Sequence, residues 1–428
     1  MYYLHMTSEE IRKHLNDEQQ NAIDIAISGE NMFLTGGPGT GKSYTLRTLI
    51  KILHNQDKNF VVTAPTGCAA SNINGRTLHS VFGLKRNPVK VEDAQAHFSK
   101  LKAPFKKFIK SLQILIIDEI SMVDNILFDF VSVLLQLIKD NKLAFGGIQV
   151  IVVGDFFQLP PVENVMCFKA LSWKLSEFHY IHLNESMRQK DDMDFIKILN
   201  KLRYGNITKK TYLKLKELQN KSFDESRIKP TKLFSTNRDV DRINNEELNK
   251  LLKNGSQEYS YEATYDTNIP DDIKKYVDRN VKLCEDAQIM VTQNMPEQNL
   301  VNGTRGYVLT LDNESVDIMT ISGEVHTISF FDATYTKREV MPDKSIHETE
   351  YIYRYMPLRL AYAITIHKSQ GMTIDCMEID LSKIFAYGQG YTGLSRAKSL
   401  EHTRIVNIQG NPFKCDPEVI EFYENISS

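Results

Sequence analysis

The chain has 428 residues, enough for two to four folded units. Its 42% hydrophobic and 25% charged residues are ordinary for a globular protein in water, which excludes a disordered or fibrous chain. A formal net charge of -2 excludes nucleic-acid binding by bulk charge, so any such contact has to come from local basic patches.

The five cysteines (Cys68, Cys167, Cys284, Cys376, Cys415) lie far apart, with no C-x-x-C pair. That argues against a zinc or iron–sulfur site and for scattered core thiols in a reducing compartment. The N-terminal stretch is rich in Glu and Asp, without a basic segment followed by an apolar one, so neither a signal peptide nor a transit peptide is expected. No apolar run approaches a membrane span. A soluble cytoplasmic protein is the expectation.

In chain order, TSEEIRKHLNDEQQNAIDIAIS is expected to be helical, capped by Thr7 or Ser8. NMFLTG reads as a short buried strand, GGPGTGKS as a turn and YTLRTLIKILH as the next helix. FVVTAP is a further strand. Residues 85–110 break the α/β rhythm, with eight Lys or Arg against Glu92 and Asp93, and read as an inserted element. ILII and IVVG look like buried parallel strands, because both are apolar without alternation. They end in Asp118 and Glu119, and in Asp155 and Gln158. Ligands of open α/β sheets bind at the carboxyl ends of strands, so these groups are expected to converge.

A second α/β core is expected to begin near Leu183. It includes a strand in KPTKLFSTN, the helix DVDRINNEELNKLL, and strands in LAYAITIHKSQG, CMEIDLS and TRIVNI. Between them VLTLD, VDIMTI, VHTISF and ETEYIYRY are short β segments separated by turns. The resulting expectation is an α/β fold with two parallel-sheet cores. The first spans 1–84 and 107–182, interrupted by an insertion at 85–106. The second spans 183–306 and 356–428, interrupted by a small all-β insertion at 307–355.

The chemistry starts with Gly36 to Ser43, which matches G-x-x-x-x-G-K-[ST] between a strand and a helix. Glycines let backbone N–H groups face a phosphate, and the helix adds its positive dipole end. Gly37, Pro38, Gly39, Thr40, Gly41 and Tyr44 complete this nucleotide-binding segment. Lys42 is expected to reach the β- and γ-phosphates, and Ser43 to bind Mg²⁺. Asp118 would hold the hydrated metal and Glu119 would polarise an attacking water. A solvated acidic loop is the bland alternative. It is disfavoured because carboxylates at a buried strand end cost free energy without a compensating cation. Gln158 suits a γ-phosphate sensor. Arg188 and Arg396 are each either surface ion-pair partners or arginines supplied across a cleft to the transferring phosphoryl group. Gln19 is a candidate for an adenine edge.

A polynucleotide site is argued from loop positions. APTGCAA, RTLHS and ITIHKSQG offer Thr, His, Lys and backbone amides to phosphates. The basic insertion also carries Phe98, Phe105 and Phe108. Cations interleaved with aromatics suit single strands, although FKKFIKSL equally fits an amphipathic helix with its phenylalanines inward.

Taken together, IIDEISMVD, FGGIQVIVVGDFFQLPPV, LVNGTRGYV, PLRLAYAITIHKSQGMTID and GYTGLSRAK resemble the Pif-one family of DNA helicases, in the B branch of helicase superfamily one. The resemblance runs from Leu15 to near Val406 and is close to the bacterial and viral core-only members. It implies two RecA-like cores, ATP and Mg²⁺ as cofactors, and 5′-to-3′ translocation on single-stranded DNA with unwinding of forked duplex and of G-quadruplexes, by a monomer. Gln19 would contact adenine, while Arg188 and Arg396, with Gln370 and Gly371, would complete the pocket from the second core. Thr66, Gly67, His79, Pro160, Asn237, Asn302, His367 and Lys368 would line the DNA channel. The first insertion would be a wedge at the fork, and the second a Src-homology-three-like barrel over the strand. Tyr362 stands where many members have Trp. An ATPase switch that binds DNA without unwinding, an RNA-directed helicase, and a small-molecule phosphotransferase remain as other readings. FGGIQ marks the family but suggests no chemical role.

Overall fold

The computed structural model describes residues 12–427, apart from 74, 85–89, 162–164, 190–191, 224–227, 268, 270–273, 275–276, 301 and 341–345. It divides into two compact units, one of Met1–Lys190, Glu339–Ile346 and Cys415–Ser428, the other of Asp191–Arg338 and His347–Lys414.

The first unit is built on six strands: β1 (Met32–Gly36), β2 (Phe60–Ala64), β3 (Arg76–Thr77), β4 (Ile114–Ile117), β5 (Gln149–Gly154) and β6 (His179–Leu183). All pair in parallel, in the order β3-β2-β4-β5-β1-β6. The apolar runs sit here because a parallel sheet is covered on both faces. On one face Met32, Leu34, Ile116, Ile151 and Val153 share a core with α1 (Asp17–Ser28) and α2 (Lys42–Asn55). Helix α2 supplies Leu46, Leu49, Ile52 and Leu53, a helical stripe. Each such residue contributes about 1.5–3 kcal/mol on burial, and Ile116→Ala would cost roughly 2–5 kcal/mol because Ile116 is 0% exposed. The short helices α3 (Gly67–Asn72) and α4 (Leu78–Phe82) follow β2 and β3.

The basic insertion is helical where it is described, as α5 (Ala94–Lys100) and α6 (Ala103–Ser111), packed on α7 (Asn125–Lys139). Lys85 and Arg86 lie outside the described residues. The expected boundary at 106 falls inside α6, which continues to Ser111. In α6 Ile109 is fully buried and Phe105 and Phe108 are half-buried, while Lys106 Nζ lies 3.9 Å from the Phe98 ring centre. The segment is thus an amphipathic helix with Ile109 inward, while its phenylalanines are only half-buried.

FGG has a structural explanation. Phe145, Gly146 and Gly147 are three successive left-handed residues, with φ of 52°, 64° and 73°. They turn the chain from α7 back into β5. A Cβ on Gly146 would lie 2.6 Å from Leu135 O, so only glycine lets the turn close on the helix. Phe145 anchors it, fully buried, edge-on to Phe128 at 4.9 Å, with its N–H donating to Ser132 Oγ. Helix α8 (Leu171–Leu175) precedes β6.

The second unit opens with α9 (Met193–Arg203) and α10 (Lys209–Glu217), then β7 (Thr231–Phe234) and α11 (Asn237–Lys253). An antiparallel region follows: β8 (Tyr259–Glu262), β9 (Thr264–Tyr265), β10 (Asn280–Leu283), β11 (Gln288–Val291), β12 (Arg305–Leu311), β13 (Ser315–Thr320), β14 (Val325–Ser329), β15 (Phe331–Val340), β16 (Ile346–Tyr355) and β17 (Leu358–Leu360). The main sheet has the order β14-β13-β12-β11-β17, and β8 pairs with β10. The β region is therefore wider than the expected 307–355. Tyr261, Leu283, Ile289, Val308, Ile318 and Leu358 share one core, which short flanking strands with weak alternation did not advertise. Four parallel strands complete the unit, β18 (Ala363–Thr365), β7, β19 (Met377–Asp380) and β20 (Thr403–Asn407), in the order β18-β7-β19-β20. α12 (Gln389–Leu394) lies between β19 and β20.

Two expected boundaries change. β6 pairs with β1 over Met32↔His179 to Gly36↔Leu183, so the first unit runs on to Lys190 rather than ending at 182. Residues 415–428, expected in the second core, carry α13 (Pro417–Ser427) into the first unit, where Phe422 meets Phe33, Phe156 and Trp173. Among the described residues no helix is long and apolar enough to cross a membrane.

Candidate functional site

Parallel register places the carboxyl ends of β1, β4 and β5 side by side, since Thr35 pairs with Gly154 and Ile117 with Val152. The glycine loop leaves β1 and enters α2 at Lys42, whose Nζ donates to Gly36 O at 2.7 Å and Gly37 O at 2.9 Å. Thr40 Oγ1 donates to Gly37 O, Pro38 is buried, and Ser43 and Tyr44 are exposed on the first turn of α2. Gly41 has φ of 91°, and a Cβ there would lie 2.4 Å from Gln19 Nε2. The glutamine amide thus lies against the loop at Gly41, whose left-handed φ favours glycine.

Gln19 owes that position to a capping box. Asn16 Oδ1 accepts from Gln19 N, and Gln19 Oε1 accepts from Asn16 N. This helix starts at Asp17, after a break at 13–16 that follows helical Arg12, and the expected cap at Thr7 or Ser8 lies outside the described residues. Asn-x-x-Gln is a cap signature in the sequence that sequence reasoning missed. The helix start is further tied to the segment after β6, because Asn184 N and Nδ2 donate to the Glu18 carboxylate and Asn16 Nδ2 to Glu185.

That segment carries Arg188, expected in the second core. It belongs to the first unit instead. Met187 N donates to Gly39 O at 2.7 Å, and a Cβ on Gly39 would lie 2.5 Å from Arg188 Cβ. Because β6 is an edge strand beside β1, its continuation runs over the glycine loop and holds Arg188 there within the same unit.

Asp118 is 6% exposed at the end of β4. Burial, then the neighbouring Glu119, push its carboxyl up to about 7, against smaller opposing pulls from the Glu119 N–H, Lys42 and Arg47. Glu119 stands in a left-handed conformation at φ of 50°, and its N–H bonds Asp118 Oδ1 at 2.9 Å. This sparsely populated backbone state sits at the strand end beside Asp118. Gln158 is 4% exposed and its N–H bonds Asp155 O, closing a tight turn after β5, with half-buried Pro160 just beyond. Among the described residues no group of three or more His, Cys, Asp or Glu is placed to hold a metal ion. A metal here would need the Ser43 hydroxyl, one carboxylate and outside oxygens.

The nucleic-acid candidates fall in both units. In the first, Thr66 and Gly67 open α3, where Thr66 Oγ1 accepts from Ala69 N, and His79 lies half-buried in α4. In the second, Asn237 is exposed at the start of α11, and Asn302 N donates to Asn294 Oδ1. His367, Lys368, Gln370 and Gly371 form the turn after β18, with Lys368 exposed and Gln370 buried. Burial lowers the His367 pKa. Tyr362, just before β18, is 6% exposed and its hydroxyl accepts from Gln288 N. Arg396 is 1% exposed, with Nε on Thr392 O and Nη2 on Ser395 Oγ, both at 2.9 Å. Sequence reasoning missed Tyr423 of α13, which reaches the ends of β1 and β5; no motif signals it.

A family model described as PIF1-like helicase matches residues 14–212. The ATP-dependent DNA helicase Pif1 of Bdellovibrio bacteriovorus is 33% identical over 428 residues, 96% of this chain and 92% of that protein. The structure of Bacteroides Pif1 in complex with ADP-AlF4 is 30% identical with a TM-score of 0.83, covering 96% of this chain and 97% of that one. The Bacteroides helicase with ADP-AlF3 and single-stranded DNA is 29% identical with a TM-score of 0.69, covering 96% of each chain. The chain spans 64% of the length of the vertebrate relatives it matches. This chain belongs to the Pif1-like helicase family.

Proposed function

We propose that the protein is an ATP-driven helicase that moves 5′ to 3′ on single-stranded DNA and unwinds forked duplex and G-quadruplex DNA as a monomer. The observation that carries this is the grouping of Lys42, Asp118, Glu119 and Gln158 on neighbouring strand ends, with Gln19 and Arg188 against the same glycine loop. The relatives named as ATP-dependent DNA helicases, and the Bacteroides complex with a nucleotide analogue and single-stranded DNA, support it.

Lys42 would meet the nucleotide phosphates, Glu119 would take a proton from the attacking water, and Gln158 would sense the γ-phosphate by its amide. Arg396 would stabilise charge on the transferring group. The donor set suits Mg²⁺. Ser43 and Asp118 offer hard oxygen ligands, and the raised Asp118 pKa marks a buried carboxylate that a cation would return to its charged form. When bound, Mg²⁺ would neutralise phosphate charge. Thr66, His79, Asn302, His367 and Lys368 would hold the DNA backbone, with the insertion at 85–106 as the wedge and that at 307–355 as the barrel over the strand.

The test is a fork with only a 5′ or only a 3′ single-stranded tail, assayed with ATP. Unwinding of the 5′-tailed fork is expected. Preference for the 3′ tail refutes the polarity, and DNA-stimulated ATP turnover without strand separation leaves a switch instead of a helicase.

A further inference from the structure

We propose that Tyr423 is a positioning residue for phosphate sensing, acting through the turn that carries Gln158. The inference rests on the ATPase reading above and deepens it. Tyr423 lies on α13, far along the chain from every motif, yet its hydroxyl reaches both strand ends that frame the site. It is 2.6 Å from Thr35 Oγ1, the residue one before the end of β1. Phe156 N donates to it at 3.2 Å, and it donates to Asp155 Oδ1 at 3.5 Å. Its ring stacks on Phe157, with centres 4.6 Å apart and planes at 18°. A hydroxyl has one donor and two acceptor sites, so Thr35, Phe156 and Asp155 use its full capacity.

These contacts bear on one short segment. Asp155 Oδ1 also accepts from Phe157 N, and Asp155 O accepts from Gln158 N. Asp155, Phe156 and Phe157 are thus each held, directly or through one bond, by Tyr423, and Gln158 is the next residue. Thr35 leads straight into the glycine loop that ends at Lys42. Tyr423 therefore sets the distance between the loop that would hold phosphate and the turn that would sense it. All the atoms involved are buried, where an interior hydrogen bond keeps its strength and a lost partner is not replaced by water. Neighbouring Phe422 supplies packing among Phe33, Phe156 and Phe168, so α13 stays docked without the hydroxyl.

Tyr423→Phe keeps the ring stack and removes only the hydroxyl. We expect kcat for DNA-stimulated ATP hydrolysis to fall about tenfold, the rate equivalent of one hydrogen bond, with KM for ATP within about twofold of the parent. Thr35→Val removes the same bond from the other side and should give the same split. The decisive readout is the double variant with Gln158→Ala. If Tyr423 acts through Gln158, adding Tyr423→Phe to Gln158→Ala changes kcat no further. Multiplicative losses, or a lowered melting temperature with parental kcat in both hydroxyl-deletion variants, overturn the proposal. Lys42→Ala run in parallel separates the two readings: if it retains parental turnover, the ATPase assignment fails, whereas its inactivity alongside multiplicative losses sinks the positioning role alone.

Discussion

The two parallel-sheet units hold their polar groups by different means. In the first, backbone geometry does the placing. Gln19 is set by a capping box and by the missing Cβ of Gly41, Glu119 by a left-handed turn, and Arg188 by an edge strand beside β1. In the second, side-chain bonds do it. Arg396 is fixed by Thr392 O and Ser395 Oγ within its own turn of chain. The exposed edge of β18 is sealed by Asn244, whose amide donates to Ala363 O and accepts from Ala363 N as a neighbouring strand would. Backbone placement tolerates little change at a few positions. Side-chain placement concentrates the risk in the functional group itself.

The sharpest test of that contrast is Arg396→Ala. The arginine is held for its guanidinium, so its loss should cut ATP turnover by about 10³-fold while nucleotide binding persists. Stopped-flow binding of a fluorescent ATP analogue beside steady-state turnover reads both. Lost binding with normal saturating turnover would make Arg396 a ground-state contact. Arg396→Lys should rescue poorly, because an ammonium cannot reproduce the planar fork that meets Thr392 and Ser395.

A smaller effect, roughly 10²-fold in nucleotide affinity, is expected for Gly41→Ala, where the new methyl meets Gln19 Nε2 at 2.4 Å. Gly29→Ala is its control. That glycine has φ of 94° and nothing within 4 Å of a Cβ, so it carries backbone strain alone, about 1 kcal/mol. If both variants bind nucleotide equally well, the loop does not depend on the Gln19 contact.

The same contrast explains what the sequence made legible. Gly41, Lys42, Asp118 and Gln158 were readable because a glycine loop and two apolar strands with polar ends have few other uses. FGG was visible as a pattern and became intelligible only when Gly146 was seen against Leu135 O. Arg188 was assigned to the wrong unit because periodicity finds a strand such as β6 but not the strand it pairs with. Tyr423 was invisible for a related reason. Its partners Thr35 and Phe156 lie hundreds of residues away, and an aromatic on a C-terminal helix is indistinguishable from core packing. The edges of the β region failed at β11 and β17, four- and three-residue strands too short for alternation to show.

The smallest expected effect concerns the turn after β18, where His367 and Lys368 are proposed to face DNA phosphates. Burial holds the His367 pKa below its ordinary 6.5, so the folded state favours the neutral ring. As pH falls below 6.5 the unfolded chain takes up that proton before the folded one does. The stability contributed at this position is therefore complete above pH 6.5 and is lost as pH falls toward the folded pKa. Melting temperatures of the parent and of His367→Gln, measured from pH 8 to pH 5, should converge or cross on the acid side. Parallel curves would mean that the histidine titrates alike in both states. If the ring is neutral at pH 7.5, Lys368 alone brings charge to this turn. Lys368→Ala should then lower the salt slope of DNA binding by about 1, and His367→Gln should leave it unchanged. Equal slope losses in both variants would show that DNA draws the proton onto His367, in which case the contact made here depends on the ligand and not on burial.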